Sequence, residues 1–179
     1  MKKLAFLSSL LLILASCGGG DDTPPPGKEQ RTFDVVFSGI TVNANYQNVT
    51  PPNQSKQLVD VLSSANKDKI SYVKSGNIQY SDSYITIEGL NEGESLAGLT
   101  INLIDGQTAS ASYNMGKIDA GPDGTPVKDS TNSCMTFLTS ITNDLASKKS
   151  ITLQIILNGG DKDVSNLKVT VHATADFTW

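Results

Sequence analysis

Ile151-Thr152-Leu153-Gln154-Ile155-Ile156-Leu157-Asn158-Gly159-Gly160-Asp161 is the stretch from which the fold of this 179-residue chain is read. Apolar side chains at 151, 153, 155 and 157 recur every second residue, the period at which one face of an extended strand meets a core. Asn158 to Asp161 supplies turn residues, and Leu167, Val169, Val171, Ala173, Ala175 and Phe177 then resume the alternation to the C-terminus.

Working towards the N-terminus, Cys134, Phe137, Leu138, Ile141 and Leu145 change to helical spacing. Asn132 or Ser133 can cap that helix, and Lys148-Lys149 suit its end. The Gly- and Pro-rich segment 119–126 before it reads as loop. Leu99, Ile101 and Leu103 alternate up to Asp105-Gly106, a hairpin signal, and Ala109, Ala111, Tyr113 and Met115 continue beyond it. Ile85 and Ile87 mark a strand over 84–89, and weaker alternation runs through Ile70, Tyr72, Ile78 and Tyr80. Leu58, Val61, Leu62 and Ala65 predict one short helix. At the start of the domain Phe33, Val35 and Phe37 alternate, and Ile40, Val42 and Ala44 follow one residue out of phase. Gly39 at the slip predicts a β-bulge. About seven strands with two short helices predict an all-β, antiparallel β-sandwich with Ig-like or Greek-key connections. A calycin-like closed barrel is the alternative, since it produces the same alternation.

The first 30 residues follow neither period. Lys2 and Lys3 precede an apolar run from Leu4 to Leu14, the charged and hydrophobic regions of a secretory signal. That run is too short to span a bilayer. Leu14-Ala15-Ser16-Cys17 resembles the cleavage site of bacterial lipoproteins with a type II signal peptide, in which an aliphatic residue and two small ones precede an obligatory cysteine. The resemblance implies removal of residues 1–16 and lipid attachment at Cys17, with palmitate among the acyl chains. Two or more chains anchor a protein stably. Residues 17–30 read as a tether, glycine-flexible at first and stiffened by Pro24-Pro25-Pro26 later. Gly18-Gly19-Gly20-Asp21-Asp22 resembles the acidic export tether of Bacteroidota-type surface lipoproteins, which implies an outer-membrane, surface-exposed location. Residues 31–179 then form a single domain, for which no family resemblance is found.

Composition narrows the partners. The formal charge is −4, and loss of Lys2 and Lys3 makes it −6, with Lys148-Lys149 the longest basic feature. This excludes a nucleic-acid partner, which requires clustered cations. With Cys17 acylated, Cys134 has no partner for an internal disulfide and belongs in the core.

Candidate chemistry is sparse. A nucleophilic pair would use Cys134 with His172, the only histidine, but Cys134 begins a helical core stripe and His172 faces away from the strand's core side, into solvent. Glu88, Glu92 and Glu94 offer carboxylates for glycoside cleavage but read as a solvated turn. Asp161-Lys162-Asp163-Val164-Ser165 opens like a calcium loop and then fails, with Asn166 at the glycine position and His172 at the glutamate position. Asp119, Asp123 and Asp129 remain as possible loop ligands. No catalytic residue, metal or cofactor is therefore expected. Tyr46, Tyr80, Tyr84 and Trp179 are the candidate glycan platforms, and Asp129-Ser130-Thr131 resembles the O-glycosylation motif of Bacteroidota. The expected role is a lipid-anchored binding module for a glycan, peptide or protein. The alternative is a structural envelope or fibre subunit, with Leu167 to Trp179 as its pairing edge.

Overall fold

A computed structural model describes residues 24–45 and 47–179. The expected signal peptide, Cys17, the Asp21-Asp22 pair and Tyr46 lie outside the described residues.

Among the described residues, eleven strands form two antiparallel sheets. In chain order they are β1 (Lys28–Val42), β2 (Asn48–Val49), β3 (Gln54–Gln57), β4 (Ser75–Ile78), β5 (Tyr84–Glu88), β6 (Ser95–Asp105), β7 (Thr108–Met115), β8 (Ile118–Asp119), β9 (Val127–Asp129), β10 (Ser150–Gly159) and β11 (Val164–Thr178). The five-stranded sheet runs β1-β11-β5-β9 with β4 also on β11, and the six-stranded sheet runs β2-β10-β6-β7 with β3 on β10 and β8 on β6. The sheets face each other as an open antiparallel β-sandwich, and no barrel closes. Six of them, β1, β5, β6, β7, β10 and β11, are those the clean alternation predicts, and of the weaker run Ile70, Tyr72, Ile78 and Tyr80 only Ile78 lies in a strand, β4. The other four, β2, β3, β8 and β9, are two to four residues long, too short to display a period of two.

The expected bulge is present. The β1–β11 register slips between Phe37 and Ile40, where Gly39 has φ 65°, and slips again before Val42. The second slip adds a residue to β11 near Asn166, φ 57°, so the two bulges compensate and Phe37, Ile40 and Val42 are all buried. Gly106 likewise has φ 63° in the two-residue β6–β7 turn, with Asp105 opposite Thr108. A single positive φ at the first turn residue suits a II′ hairpin.

Two helical predictions shift. The first helix is one turn, α1 (Leu58–Val61), after which Ser64–Tyr72 forms a 3₁₀ segment that takes in Ile70 and Tyr72, expected in a strand. The polar run Asn66–Lys69 gives a strand nothing to bury. Tyr80 similarly lies in a 3₁₀ turn, Tyr80–Asp82, fixed by the buried Ser83 hydroxyl donating to the Gln79 carbonyl at 2.7 Å. The second helix, α2 (Asn132–Lys148), is longer than its apolar stripe, and its cap is Thr131, whose hydroxyl accepts from Cys134 N at 3.4 Å. Asn132 and Ser133, the expected caps, lie inside its first turn. Leu138, Ile141 and Leu145 bury α2 in the core with Phe33, Phe37, Ile101, Leu103, Leu153, Ile155 and Phe177.

The chain joins the sandwich where it also ends. Gly27 N donates to Trp179 O at 3.1 Å and Trp179 N to Gly27 O at 3.0 Å, and β1 starts at Lys28, so the sheet takes in the last residues that composition assigns to the tether. β11 pairs with β1 along one side and with β5 and β4 along the other. The terminal strand is central, which removes it as a pairing edge. β10 and β11 lie in different sheets, so Gly160–Asp163 turns the chain from one layer to the other.

Candidate functional site

On the outer face of the five-stranded sheet, Asp34, His172 and Tyr84 stand in register on β1, β11 and β5. His172 Nδ1 lies 2.5 Å from Asp34 Oδ1, its ring stacks on Tyr84 with centroids 4.5 Å apart, and Lys128 Nζ sits 3.8 Å from the Tyr84 centroid. β5 lies between β11 and β9, so His172 and Lys128 approach Tyr84 from opposite sides. Both faces of the expected sugar platform are taken. His172 faces away from the core as predicted but is half-buried in this row, with 21 % of its side chain exposed. Of the other described aromatics, Trp179 packs on the core with its ring against Gly27, and Tyr80 is freely exposed, at 64 %.

Cys134 is buried between the sheets, on the opposite side of β11's layer from His172, so no nucleophilic pair forms. Its Sγ donates to the Asp129 carbonyl at 3.4 Å. Burial, and then the nearby Asp129 carboxylate, pushes the thiol from 9.0 up to about 12. A folded value above the unfolded one means that stability is complete below pH 9.0 and falls as pH rises towards about 12, by about 1.4 kcal/mol per pH unit. Cys134→Ala is expected to abolish that component of alkaline destabilisation, as measured by denaturation midpoints across this range. An unchanged slope would refute the assignment.

The carboxylates do not converge. Glu88 pairs with Lys168 at 3.1 Å on the sheet face, Glu94 accepts from the Asn91 amide at 2.8 Å within its turn, and Glu92 is exposed. Asp119 pairs with Lys117 at 2.7 Å, and Asp163 accepts from Ala44 N at 2.6 Å. Asp129 is buried, accepting from the Tyr113 hydroxyl and, at 2.8 Å, from Thr131 N. Its carboxylate joins the β7 and β9 edges to the start of α2, leaving Ser130 and Thr131 as the exposed part of the Asp129-Ser130-Thr131 motif. Among the described residues no group of three or more His, Cys, Asp or Glu is placed to hold a metal ion.

The feature that inward-facing periodicity misses lies on the outer face of the six-stranded sheet. Alternation turns Thr152, Gln154, Ile156 and Asn158 of β10 outwards, with Thr100, Asn102 and Ile104 of β6, Ser112 and Asn114 of β7, and Ser55 of β3. None is charged. The groups link across strands: Ser112 Oγ donates to Asn102 Oδ1 at 2.7 Å, Asn102 Nδ2 to Gln154 Oε1 at 3.3 Å, Asn114 Nδ2 to Thr100 Oγ1 at 3.3 Å, and Ser55 and Thr152 share a hydrogen bond of 2.9 Å. Lys56 stands opposite the buried Ile151 and Asp105 pairs with Lys148 at 2.8 Å, while Asp119 on β8, opposite Ser95, and its partner Lys117 form a charged end to this face. The opposite sheet by contrast displays Asp34, Lys128, Glu88 and Lys168. The signal was present in the sequence at the positions between the core residues.

A shallow cleft of about 210 Å³, lined by Ser95, Ala97, Lys117, Gly160 and Asp161, lies at the end remote from Gly27 and Trp179. β1 runs from Lys28 at one end to Val42 at the other, and Gly159 approaches Asn43 there.

No protein-family model matches the chain, and no curated protein matches it. Among solved structures, Desmodium yellow mottle tymovirus is similar over 87 % of this chain and 89 % of its own, with 10 % identity and a TM-score of 0.44. The capsid protein of BFDV is similar over 86 % of this chain and 99 % of its own, with 10 % identity and a TM-score of 0.40. Turnip yellow mosaic virus gives 11 % identity and a TM-score of 0.39, over 87 % of this chain and 94 % of its own. At these identities a likeness concerns fold alone.

Proposed function

We propose that the protein is a non-catalytic interaction module, anchored in the outer membrane through acylated Cys17, displayed at the cell surface, and working through the neutral part of the outer face of its six-stranded sheet, on β3, β10, β6 and β7. The single observation that carries the reading is that face: ten outward positions on four strands, all neutral, in a chain of formal charge −4. Interface centres are depleted of charge relative to ordinary surface. No helix among the described residues is long and apolar enough to cross a membrane.

Cys17→Ala is expected to move the protein wholly from the membrane pellet to the soluble fraction, and Asp21→Ala with Asp22→Ala to abolish surface biotinylation of intact cells while membrane attachment persists. Retention of the Cys17 variant in the membrane would refute the anchor, and unchanged labelling of the Asp variants would refute the export role. The second reading, an assembly subunit, must use another edge than β11. β7 is the outermost strand of its sheet, and its eight residues include no charge or proline, the devices that normally blunt an edge. A concentration-independent monomer in sedimentation would sink that reading.

A further inference from the structure

We propose that the end of the domain where the tether enters docks on an anionic lipid surface and stands the sandwich upright on it. The inference rests on the reading of Cys17 as the anchor and names what the anchored end touches. The fold gathers at this end cations that lie scattered in the sequence. Lys28 and Arg31 are on the first rungs of β1, next to the Gly27–Trp179 pair. Lys67 and Lys69 lie in the 3₁₀ segment, which Glu29 holds to the start of β1 by accepting from Ser63 N at 3.3 Å and Asn66 Nδ2 at 3.1 Å. Lys74 N donates to Thr178 O at 2.7 Å. Lys149, at the end of α2 beside Lys148, donates from Nζ to the Val73 carbonyl at 2.6 Å. Lys56 stands opposite Ile151, where β10 begins. Eight of the twelve Lys and Arg of residues 24–179 thus share one end.

Six carboxylates accompany them, and five are held in ion pairs: Asp176 with Lys28 at 3.0 Å, Asp105 and Asp144 with Lys148 at 2.8 and 2.9 Å, Glu29 with Arg31 at 3.7 Å, and Asp68 with Lys69. Asp60 is the sixth. Lys67 and Lys74 are exposed and pair with no described carboxylate. Eight cations against six acids leave +2 at this end, while Lys117, Lys128, Lys162 and Lys168 against the other ten acids leave −6 on the rest of the domain. The formal charge of −4 therefore conceals a dipole along the strands. An anionic surface attracts one end and repels the other, so both ends select the same orientation. Each cation near such a surface raises partitioning about fivefold, within about 8 Å at physiological salt. Residues 18–27 span at most about 33 Å, which keeps this end close enough to the bilayer for a weak contact to form. Trp179, half-buried against Gly27, adds an amphipathic ring of the kind found at headgroup level. The upright stance leaves the outer faces of both sheets open and turns the Ser95, Lys117 and Asp161 cleft outwards.

The test uses the full mature chain with Cys17→Ala, free of any acyl chain, floated with vesicles of phosphatidylcholine alone or with about 30 % phosphatidylglycerol. Partitioning at least tenfold stronger to the anionic vesicles is expected at about 0.02 M salt, and its loss at about 0.5 M. Lys67→Gln with Lys74→Gln should weaken it at least tenfold (~1.4 kcal/mol), and Lys117→Gln with Lys162→Gln at the other end should not. A headgroup spin label should quench Trp179, the single tryptophan, on bound vesicles. No partitioning, equal partitioning to neutral vesicles, equal effects of the two double variants, or an unquenched Trp179 on bound protein overturns the proposal. Partitioning that emerges only with Asp21→Ala and Asp22→Ala assigns the basic end to the tether's own carboxylates and overturns it as well. Fractionation of the acylated chain decides the anchor separately. Membrane retention there without vesicle partitioning here leaves the anchor standing and removes the docking, and partitioning by a chain that carries no lipid upholds the docking and removes the anchor.

Discussion

Gly159→Ala is expected to lower the melting temperature by about 6–12 °C, and Gly159→Val to leave too little stability for a cooperative transition at 37 °C. The backbone of Gly159 lies against the Asn43 carbonyl so closely that an added Cβ would overlap its oxygen, and the Val42 side chain closes the space behind at 3.4 Å. Two hydrogen bonds fix the approach, Gly159 N to Gln47 O at 3.1 Å and Asn45 N to Gly160 O at 3.1 Å. The obstructing atom is backbone on both sides, so relief requires parting β10 from the turn after β1. Overpacking costs about 1–3 kcal/mol where side chains can yield. Here they cannot, and about 3 kcal/mol is the expected minimum, at about 2–4 °C per kcal/mol for a domain of this size. Gly116→Ala is the control, because nothing lies within 4 Å of its Cβ position, and it should change stability by less than about 0.5 kcal/mol. Thermal melts followed by circular dichroism decide the comparison, and equal effects at the two glycines would refute the close-approach argument.

The second large effect is expected at Asp129. Asp129→Ala removes the acceptor of both the Tyr113 hydroxyl and Thr131 N. The buried Tyr113 hydroxyl left unpaired costs about 1–3 kcal/mol, and the lost Thr131 N bond adds about 1 kcal/mol, so a loss of about 2–4 kcal/mol is expected in urea denaturation. Tyr113→Phe should cost less, because its ring stays packed on Phe137 at 5.9 Å between centroids. In the double variant Asp129→Ala, Tyr113→Phe, the costs should fall short of their sum by at least about 0.5 kcal/mol, since the orphaned hydroxyl has gone. Strict additivity would show that the two groups do not act as a unit.

These two sites mark where sequence legibility ends. Gly159 reads in the sequence as a turn glycine beside Asn158 and Gly160. In the fold it closes β10, and its need for hydrogen comes from Asn43, more than a hundred residues away. Asp129 reads as a solvated loop acid or a calcium ligand, and only the meeting of β7, β9 and α2 makes it a buried acceptor. Tyr84 reads as a platform until β11 and β9 bring His172 and Lys128 against its two faces.

The sequence by itself determined the local periods, and with them the six longer strands, the bulge at Gly39, the hairpin at Gly106 and the apolar stripe of α2. Each is set by side chains two to four residues apart, within reach of φ/ψ preference and one-sided burial. The lipoprotein-like N-terminus is likewise a linear motif. Tertiary structure decided what depends on non-local pairing. It placed β11 at the centre of its sheet, separated Cys134 from His172 by a layer, recruited four short strands, and assembled neutral residues from β3, β6, β7 and β10 into one surface. The physical reason is that register and sheet order are fixed by the burial of one face of each strand, and they settle at the same time, with no local signal, which side chains share the other.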